Sequence, residues 1–204
     1  MCTDPTGRFL VPSTKGNKYI IWGCDYDSNH VFAEPMKNRK KASQIKAVTT
    51  IIKKLKAAGL RPIFHILDNE VSTDLIGFLE SDEEITVQLA PARCHLMNAA
   101  ERAIRTFKNH FIAWLFTARQ HFPLNKWDSL LPQAVIRLNI LRTSCLNSKL
   151  SAHALLNGLY NFNGTLMDSP RSMILVHEKP ALCGTWAAHT VNAWYLGPAL
   201  HHYR

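Results

Sequence analysis

The sequence contains no hydrophobic stretch that is long enough to cross a membrane. None of its apolar runs approaches the roughly 18 consecutive residues that a transmembrane helix requires. The amino terminus also lacks the basic segment followed by an apolar one that characterises secretory signals. We therefore expect no membrane partner and an intracellular location.

Cysteine is scarce, and its spacing excludes the common cysteine-based sites. The chain has five cysteines, an odd number, and no two of them stand in the C-x-x-C arrangement. They are Cys2, Cys24, Cys94, Cys145 and Cys183. The histidines near the carboxyl end, His201 and His202, have no cysteine or histidine partners at zinc spacing. We expect no disulfide framework, no structural zinc, and cysteines that mostly act as small apolar side chains in a reducing compartment.

Acidic residues are few relative to basic ones. The 204 residues include 15 Asp and Glu against 24 Lys and Arg, which gives a formal charge of +9. This excess indicates an anionic partner, most commonly nucleic acid, although a basic solvated surface without any ligand would show the same composition. Apolar residues make up 47% of the chain, which is enough for one domain, alone or with a small appendage.

One segment concentrates the positive charge. Its basic residues are Lys37, Arg39, Lys40, Lys41, Lys46, Lys53, Lys54 and Lys56. A run of this kind usually forms the solvated face of a helix, and it would add non-specific attraction for phosphate.

The alternation of strand and helix patterns predicts an α/β fold with a mixed sheet flanked by helices. The predicted strands are 18–25, 30–35, 61–67, 85–89, 173–177 and 193–196. The predicted helices are 38–58, 73–80, 98–121, 127–141 and 151–157. The first two strands form a hairpin, and the third is typical of a strand buried in a mixed sheet. A boundary near residue 160 divides a core, 1–160, from a small extension with short strands, 161–204.

Three widely separated acidic residues are candidate metal ligands. Asp4 precedes the hairpin, Asp68 ends the apolar strand 61–67, and Glu101 lies near the start of a long helix. Hard divalent cations prefer oxygen ligands, and two such ions can clamp the attacking and leaving oxygens of a phosphodiester. Each residue also has an ordinary interpretation: Asp4 and Asp68 as turn residues, and Glu101 as a carboxylate favoured by the helix dipole.

Other residues are assigned structural roles. Asp25 and Asp27 end a strand and start a turn, and they are reserve candidates for the first ligand if Asp4 fails. His65 is expected to pack in the core. Trp114 and Trp127 fall on apolar helical stripes, so we expect core positions for them rather than base-stacking ones.

Taken together, several short motifs resemble a known family. They are Asp4-x-Thr6, the strand 30–35 after the hairpin, Leu67-Asp68-Asn69, the segment 98–109 around Glu101, and Leu150 to Gly158. This set resembles the ribonuclease H-like catalytic core of retroviral and retrotransposon integrases, the D,D-35-E group. Two features differ from the family: Glu70 stands where glycine is usual, and the His-His-Cys-Cys module has no counterpart in this sequence.

The resemblance implies a polynucleotidyl transferase that processes DNA 3′ ends and joins them to target DNA. Asp4, Asp68 and Glu101 would bind two Mg²⁺ or Mn²⁺ ions, and the loop 90–97 would be a mobile segment at the active site. The residues implied to contact DNA are Arg105, Lys108, Arg102, Lys15 and Asn98. The resemblance further implies a homo-oligomer in the nucleus or in a cytoplasmic retroelement particle. Two alternatives stay open: an inactive remnant that binds nucleic acid, and a related ribonuclease H-like nuclease.

Overall fold

The computed structural model describes most of the chain. The described residues are 1–67, 72–90, 99–116, 122–165, 167–169, 172–179, 181 and 183–198, with the main chain alone at 99–101. Within these ranges, no helix is both long enough and apolar enough to span a bilayer.

The centre of the fold is a five-stranded mixed sheet. Its strands are β1 (Cys2–Pro5), β2 (Tyr19–Cys24), β3 (Val31–Met36), β4 (Phe64–Leu67) and β5 (Thr86–Leu89). Their order across the sheet is β3-β2-β1-β4-β5. The first three strands pair antiparallel, whereas β1 with β4 and β4 with β5 pair parallel. The predicted α/β class, hairpin and mixed sheet are confirmed.

Helices follow the strands as the sequence pattern predicts. They are α1 (Lys41–Ala57), α2 (Thr73–Gly77), α3 (Ala99–Phe116), α4 (Trp127–Leu141) and α5 (Ala152–Asn157). A π-helical turn, Phe78–Asp82, continues α2, and a 3-10 turn, Leu124–Lys126, precedes α4. Ser72 and Ser151 cap the short helices by accepting hydrogen bonds from main-chain N–H groups three residues later. The predicted end of the third long helix, at residue 121, lies outside the described residues.

The two faces of the sheet carry separate hydrophobic layers. On one face, α1 and α2 bury a cluster that includes Ile51, Ile52 and Leu79. On the other, α3 and α4 bury aromatic side chains, among them Phe107 and Trp127. Trp114 is also buried in this second layer, so both tryptophans predicted to be core residues are core residues.

Two details of the strand predictions are wrong. The apolar run of the segment 61–67 was expected to be a buried strand, but Ile63 is 67% exposed and Phe64 is 57% exposed. Ile63 directly precedes β4, and Phe64 is the first residue of β4, opposite Thr86 of the edge strand β5. The last predicted strand begins earlier than expected, because its register with the preceding strand extends to Thr190.

The segment after the sheet contains a hairpin of its own. Strands β6 (Met173–His177) and β7 (Thr190–Trp194) form a two-stranded antiparallel sheet. The Trp194 ring meets the Phe122 ring edge-on, with 5.7 Å between the ring centroids. An isolated two-stranded hairpin is marginal in water, so this aromatic contact with the second hydrophobic layer helps to hold it. The boundary near residue 160 stays a prediction.

Two buried histidines connect parts of the sheet. The Nε2 atom of His65 lies 2.8 Å from Thr3 Oγ1, which links β4 to β1. His30 stands next to β3, where its Nδ1 lies 3.3 Å from Asn139 Nδ2 of α4. Burial lowers the pKa of each imidazole from 6.5 to about 3. The expected core role of His65 is confirmed, and both rings are neutral in the folded protein at pH 7.

We expect these histidines to make the fold acid-sensitive. Because their folded pKa lies below the unfolded value, their contribution is complete above pH ~6.5 and is lost as pH falls towards 3, by about 2 kcal/mol per histidine at pH 5. Urea denaturation between pH 7.5 and 4.5 measures this slope. His65→Gln should remove about one proton from the pH dependence, whereas the same substitution at exposed His177 should not. An unchanged slope in His65→Gln contradicts the assignment.

Candidate metal centre and nucleic-acid surface

Asp4 lies in the central strand of the sheet. It is half-buried and stands opposite Trp22 in the antiparallel ladder between β1 and β2. On the other side of β1, Cys2 is in parallel register with Ile66 of β4. Since β4 ends at Leu67, the carboxyl ends of two neighbouring parallel strands meet beside Asp4. Such strand ends are where ligand sites form in open α/β sheets.

The first turns of α3 lie over the same part of the sheet. The Phe107 ring packs on the Trp22 ring with centroids 3.8 Å apart, and Ala103 lines a shallow hollow with Gly23 and Cys24. The main chain of Glu101 is two residues before Ala103, which is about 3 Å along the helix axis at the usual rise. The helix that bears Glu101 therefore starts above the β1–β2 pair.

The three candidate ligands differ in how far the structure describes them. Asp4 is described in full, Glu101 by its main chain alone, and Asp68 lies outside the described residues, directly after Leu67. Among the side chains that are described, no three His, Cys, Asp or Glu come together. The chemistry of the proposed donor set, three carboxylates, suits Mg²⁺ or Mn²⁺, and the half-buried position of Asp4 at the strand ends is compatible with it.

The reserve candidate Asp25 has a structural role. Its Oδ2 accepts hydrogen bonds from the main-chain N–H of Ser28 at 2.9 Å and from the Ser28 hydroxyl at 2.6 Å. Both residues are buried. This Asx-type turn shapes the connection between β2 and β3, as the sequence predicts, and Asp27 is exposed in the same turn.

Basic side chains line the outward side of α3. Arg102, Arg105 and Lys108 are all exposed. Positions 105 and 108 follow position 101 by four and seven residues, so positions 101, 105 and 108 share one side of the helix. Lys15 is exposed elsewhere, in the β1–β2 connection, where neighbouring Thr14 donates its N–H to Asn125 O at 2.8 Å. Asn98 and most of the loop 90–97 lie outside the described residues.

The lysine-rich segment is a solvated face, as predicted. Its basic residues are exposed, and three of those on α1 form ion pairs with acidic residues of neighbouring elements. The pairs are Lys41–Asp74 at 2.6 Å, Lys56–Glu83 at 2.6 Å, and Lys54–Glu34. The Lys41–Asp74 pair is exposed at both ends, so it contributes little to stability, whereas Glu34 and Glu83 are largely covered.

One member of that segment differs from the others. The Arg39 guanidinium contacts the main chain of the residues that follow Asp4, whereas the sequence pattern placed Arg39 among solvated lysines. The only signal in the sequence is that an arginine interrupts the lysines.

Two buried cysteines lie on β1 and β2, the pair of strands that includes Asp4. Cys2 and Cys24 face each other across β1 and β2, both are buried, and the Cys2 thiol donates to Cys24 O at 3.4 Å. Hydrogen bonding to Cys24, followed by burial, raises the pKa of the Cys2 thiol well above its usual range. The expected filler role is confirmed for this pair, whereas Cys145 is exposed and Cys94 lies outside the described residues.

Solved structures share this architecture, although no protein-family model and no curated protein matches the sequence. The catalytic core domain of HTLV-2 integrase, in a trimeric complex with magnesium, is 17% identical with a TM-score of 0.52, over 76% of this chain and 94% of that one. The BIV integrase core is 15% identical with a TM-score of 0.50, over 76% and 91%. A chain of the simian T-cell lymphotropic virus intasome, in complex with the PP2A subunit B56 gamma, is 16% identical with a TM-score of 0.59, over 99% and 68%.

The chain has the fold of a retroviral integrase catalytic core. The expected ribonuclease H-like sheet is thereby confirmed. At identities of 15–17% the likeness establishes the fold alone, and the chemistry of this chain depends on its own residues.

The contrast between the two aspartates of the β2–β3 turn is testable. We expect Asp25→Ala to lower the free energy of unfolding by about 2–3 kcal/mol, because a buried N–H and a buried hydroxyl lose a charged acceptor. Asp27→Ala, the exposed matched control, should change it by less than about 0.5 kcal/mol. Urea denaturation of both variants measures the difference. A fully stable Asp25→Ala protein that loses metal binding would instead make Asp25 a ligand.

Proposed function

We propose that this integrase-like domain is the catalytic domain of a retrotransposon-type integrase, which processes DNA 3′ ends and transfers them to target DNA. The observation that carries the proposal is the position of Asp4 at the joint ends of β1 and β4, with the start of α3 above them. Two acidic residues adjoin this place along the chain: Asp68 follows β4 directly, and Glu101 belongs to the first turn of α3.

Asp4, Asp68 and Glu101 would hold two Mg²⁺ or Mn²⁺ ions. When bound, such a pair activates the attacking water or 3′-hydroxyl and stabilises the leaving oxygen. The HTLV-2 integrase core, which has the same fold, was solved in complex with magnesium in two forms, and this supports the choice of cofactor. The work of the protein is to bring the three carboxylates together from two strands and a helix and to hold them there.

The DNA would lie along the outward side of α3. Arg105 and Lys108 share the side of Glu101, so they would contact phosphates next to the reacting one. Arg102, Lys15 and Asn98 are proposed as further contacts. The neighbours were solved as a dimer, a trimer and an intasome, which supports a homo-oligomer as the working form. A nuclear or retroelement-particle location is part of this proposal.

The decisive test is strand transfer on oligonucleotide duplexes in Mg²⁺ or Mn²⁺. We expect Asp4→Asn, Asp68→Asn and Glu101→Gln each to reduce product formation by at least about 10²-fold, because a metal-binding oxygen is lost while the side-chain shape is kept. Glu80→Gln, at an exposed carboxylate of the π-helical turn, is the matched control and should keep parental activity.

Each other outcome identifies a different function. DNA binding without nicking in either metal would favour the inactive remnant. Hydrolysed but unjoined strands would favour a ribonuclease H-like nuclease. Activity that survives all three substitutions would overturn the proposed metal site.

The DNA surface has its own test, which does not require catalysis. Arg105→Gln and Lys108→Gln should each weaken duplex binding and reduce the slope of log affinity against log salt by about one, because each removes a phosphate contact. Lys149→Gln removes the same charge from an exposed loop after α4 and serves as the control. Fluorescence anisotropy across a salt series measures all three. Equal slopes in the α3 variants and the control would place the DNA elsewhere.

A further inference from the structure

Arg39 forms hydrogen bonds to the main chain at the end of β1, the strand that carries Asp4. It is an exposed residue in the connection between β3 and α1. Its Nη2 donates to Thr6 O at 2.7 Å and is 3.2 Å from Pro5 O. Its Cζ lies 5.6 Å from the centre of the Tyr19 ring, within cation–π range. One side chain thereby joins the two residues that follow Asp4 to β2.

The end of β1 requires such an anchor. Pro5 has no N–H to donate to either neighbouring strand. At the next position, Thr6 N–H donates to Ile20 O at 2.8 Å, as in an antiparallel ladder. Ile20 N–H, however, donates to the Thr6 hydroxyl at 3.3 Å and not to the Thr6 carbonyl. The Thr6 carbonyl accepts from Arg39 instead, and Thr6 is the first residue after β1.

We propose that Arg39 is a positioning residue for Asp4, an inference that rests on the proposed function. By fixing the carbonyls of Pro5 and Thr6, the guanidinium limits the main-chain rotation that would swing the Asp4 carboxylate away from the ends of β1 and β4. Arginine suits this task, because its Nη2 reaches both carbonyls while the planar face of the guanidinium lies over the Tyr19 ring. A lysine would supply one point charge and no planar face.

The first experiment measures the anchor alone. In Arg39→Gln, amide hydrogen exchange at Thr6 should accelerate by about tenfold, while the amide of Cys24, at the far end of the β1–β2 ladder, should keep its protection. Lys53→Gln removes an equal charge from the exposed face of α1 and should change neither amide. Unchanged exchange at Thr6 overturns the proposal, whatever the protein does with metal.

The second experiment measures the effect on the carboxylate. Mn²⁺ titration followed by EPR, without DNA, should give a dissociation constant roughly tenfold higher in Arg39→Gln than in the parent, an intermediate value in Arg39→Lys, and the parental value in Lys53→Gln. In strand transfer, the Arg39→Gln defect should be largest at limiting Mg²⁺ and should shrink as Mg²⁺ is raised.

The outcomes separate the two proposals. Parental Mn²⁺ affinity in Arg39→Gln, with faster exchange at Thr6, reduces Arg39 to a structural anchor and overturns the positioning role. A defect that appears only as weaker duplex binding with a smaller salt slope makes Arg39 a phosphate contact instead. A parent protein that binds no Mn²⁺ overturns the proposed function itself, and hydrogen exchange then still reports whether Arg39 anchors β1.

Discussion

The pairing of β1 on both of its sides is the constraint on which the rest of the structure depends. This four-residue strand joins an antiparallel hairpin to a parallel pair, through Cys2 opposite Cys24 on one side and Ile66 on the other. Ile66 N–H donates to Met1 O at 2.9 Å, so β4 is fixed at the level of the first residues. Because side chains alternate along a strand, Cys2 and Asp4 face α3 while Thr3 faces α1. A shift of one residue in this register would turn Asp4 into the opposite layer.

Buried polar side chains fix the layers to that sheet where apolar packing alone would allow sliding. Asn139 of α4 accepts from Val31 N–H and donates to Val31 O, both at 2.8 Å. It thereby satisfies the outward main-chain groups of Val31 at the start of β3, an edge strand, and blocks further pairing at that residue. The β1–β2 connection is held similarly, through Asn17 Nδ2 to Asp128 Oδ2 at 2.8 Å. These contacts are directional, so they specify one arrangement of helices on strands.

Sequence patterns predicted the elements well and the long-range contacts poorly, for a physical reason. Helical spacing of apolar residues identifies α1, α3 and α4, because each buries one face against the sheet. The exposure of Phe64 depends on which element covers each face of β4, and local periodicity does not contain that information. The role of Arg39 depends on a contact with Thr6, 33 residues earlier in the chain. The residues alone suggested Asp4, Asp68 and Glu101 as carboxylates that could share a pair of ions, and the family resemblance favoured this grouping over their ordinary turn and helix-dipole roles.

The two aspartates Asp4 and Asp25 differ in how their surroundings are built: those of Asp25 are local in the chain, and those of Asp4 come from distant elements. Asp25 is held by Ser28, three residues away, so its environment is local and would form in almost any fold with this turn. The surroundings of Asp4 come from β2, the end of β4, the start of α3 and Arg39, which are far apart in the chain. Such a position exists only once the whole sheet has formed. Asp25 stabilises a local turn, whereas the position of Asp4 depends on the whole sheet. This difference supports the proposed role of Asp4 in metal binding.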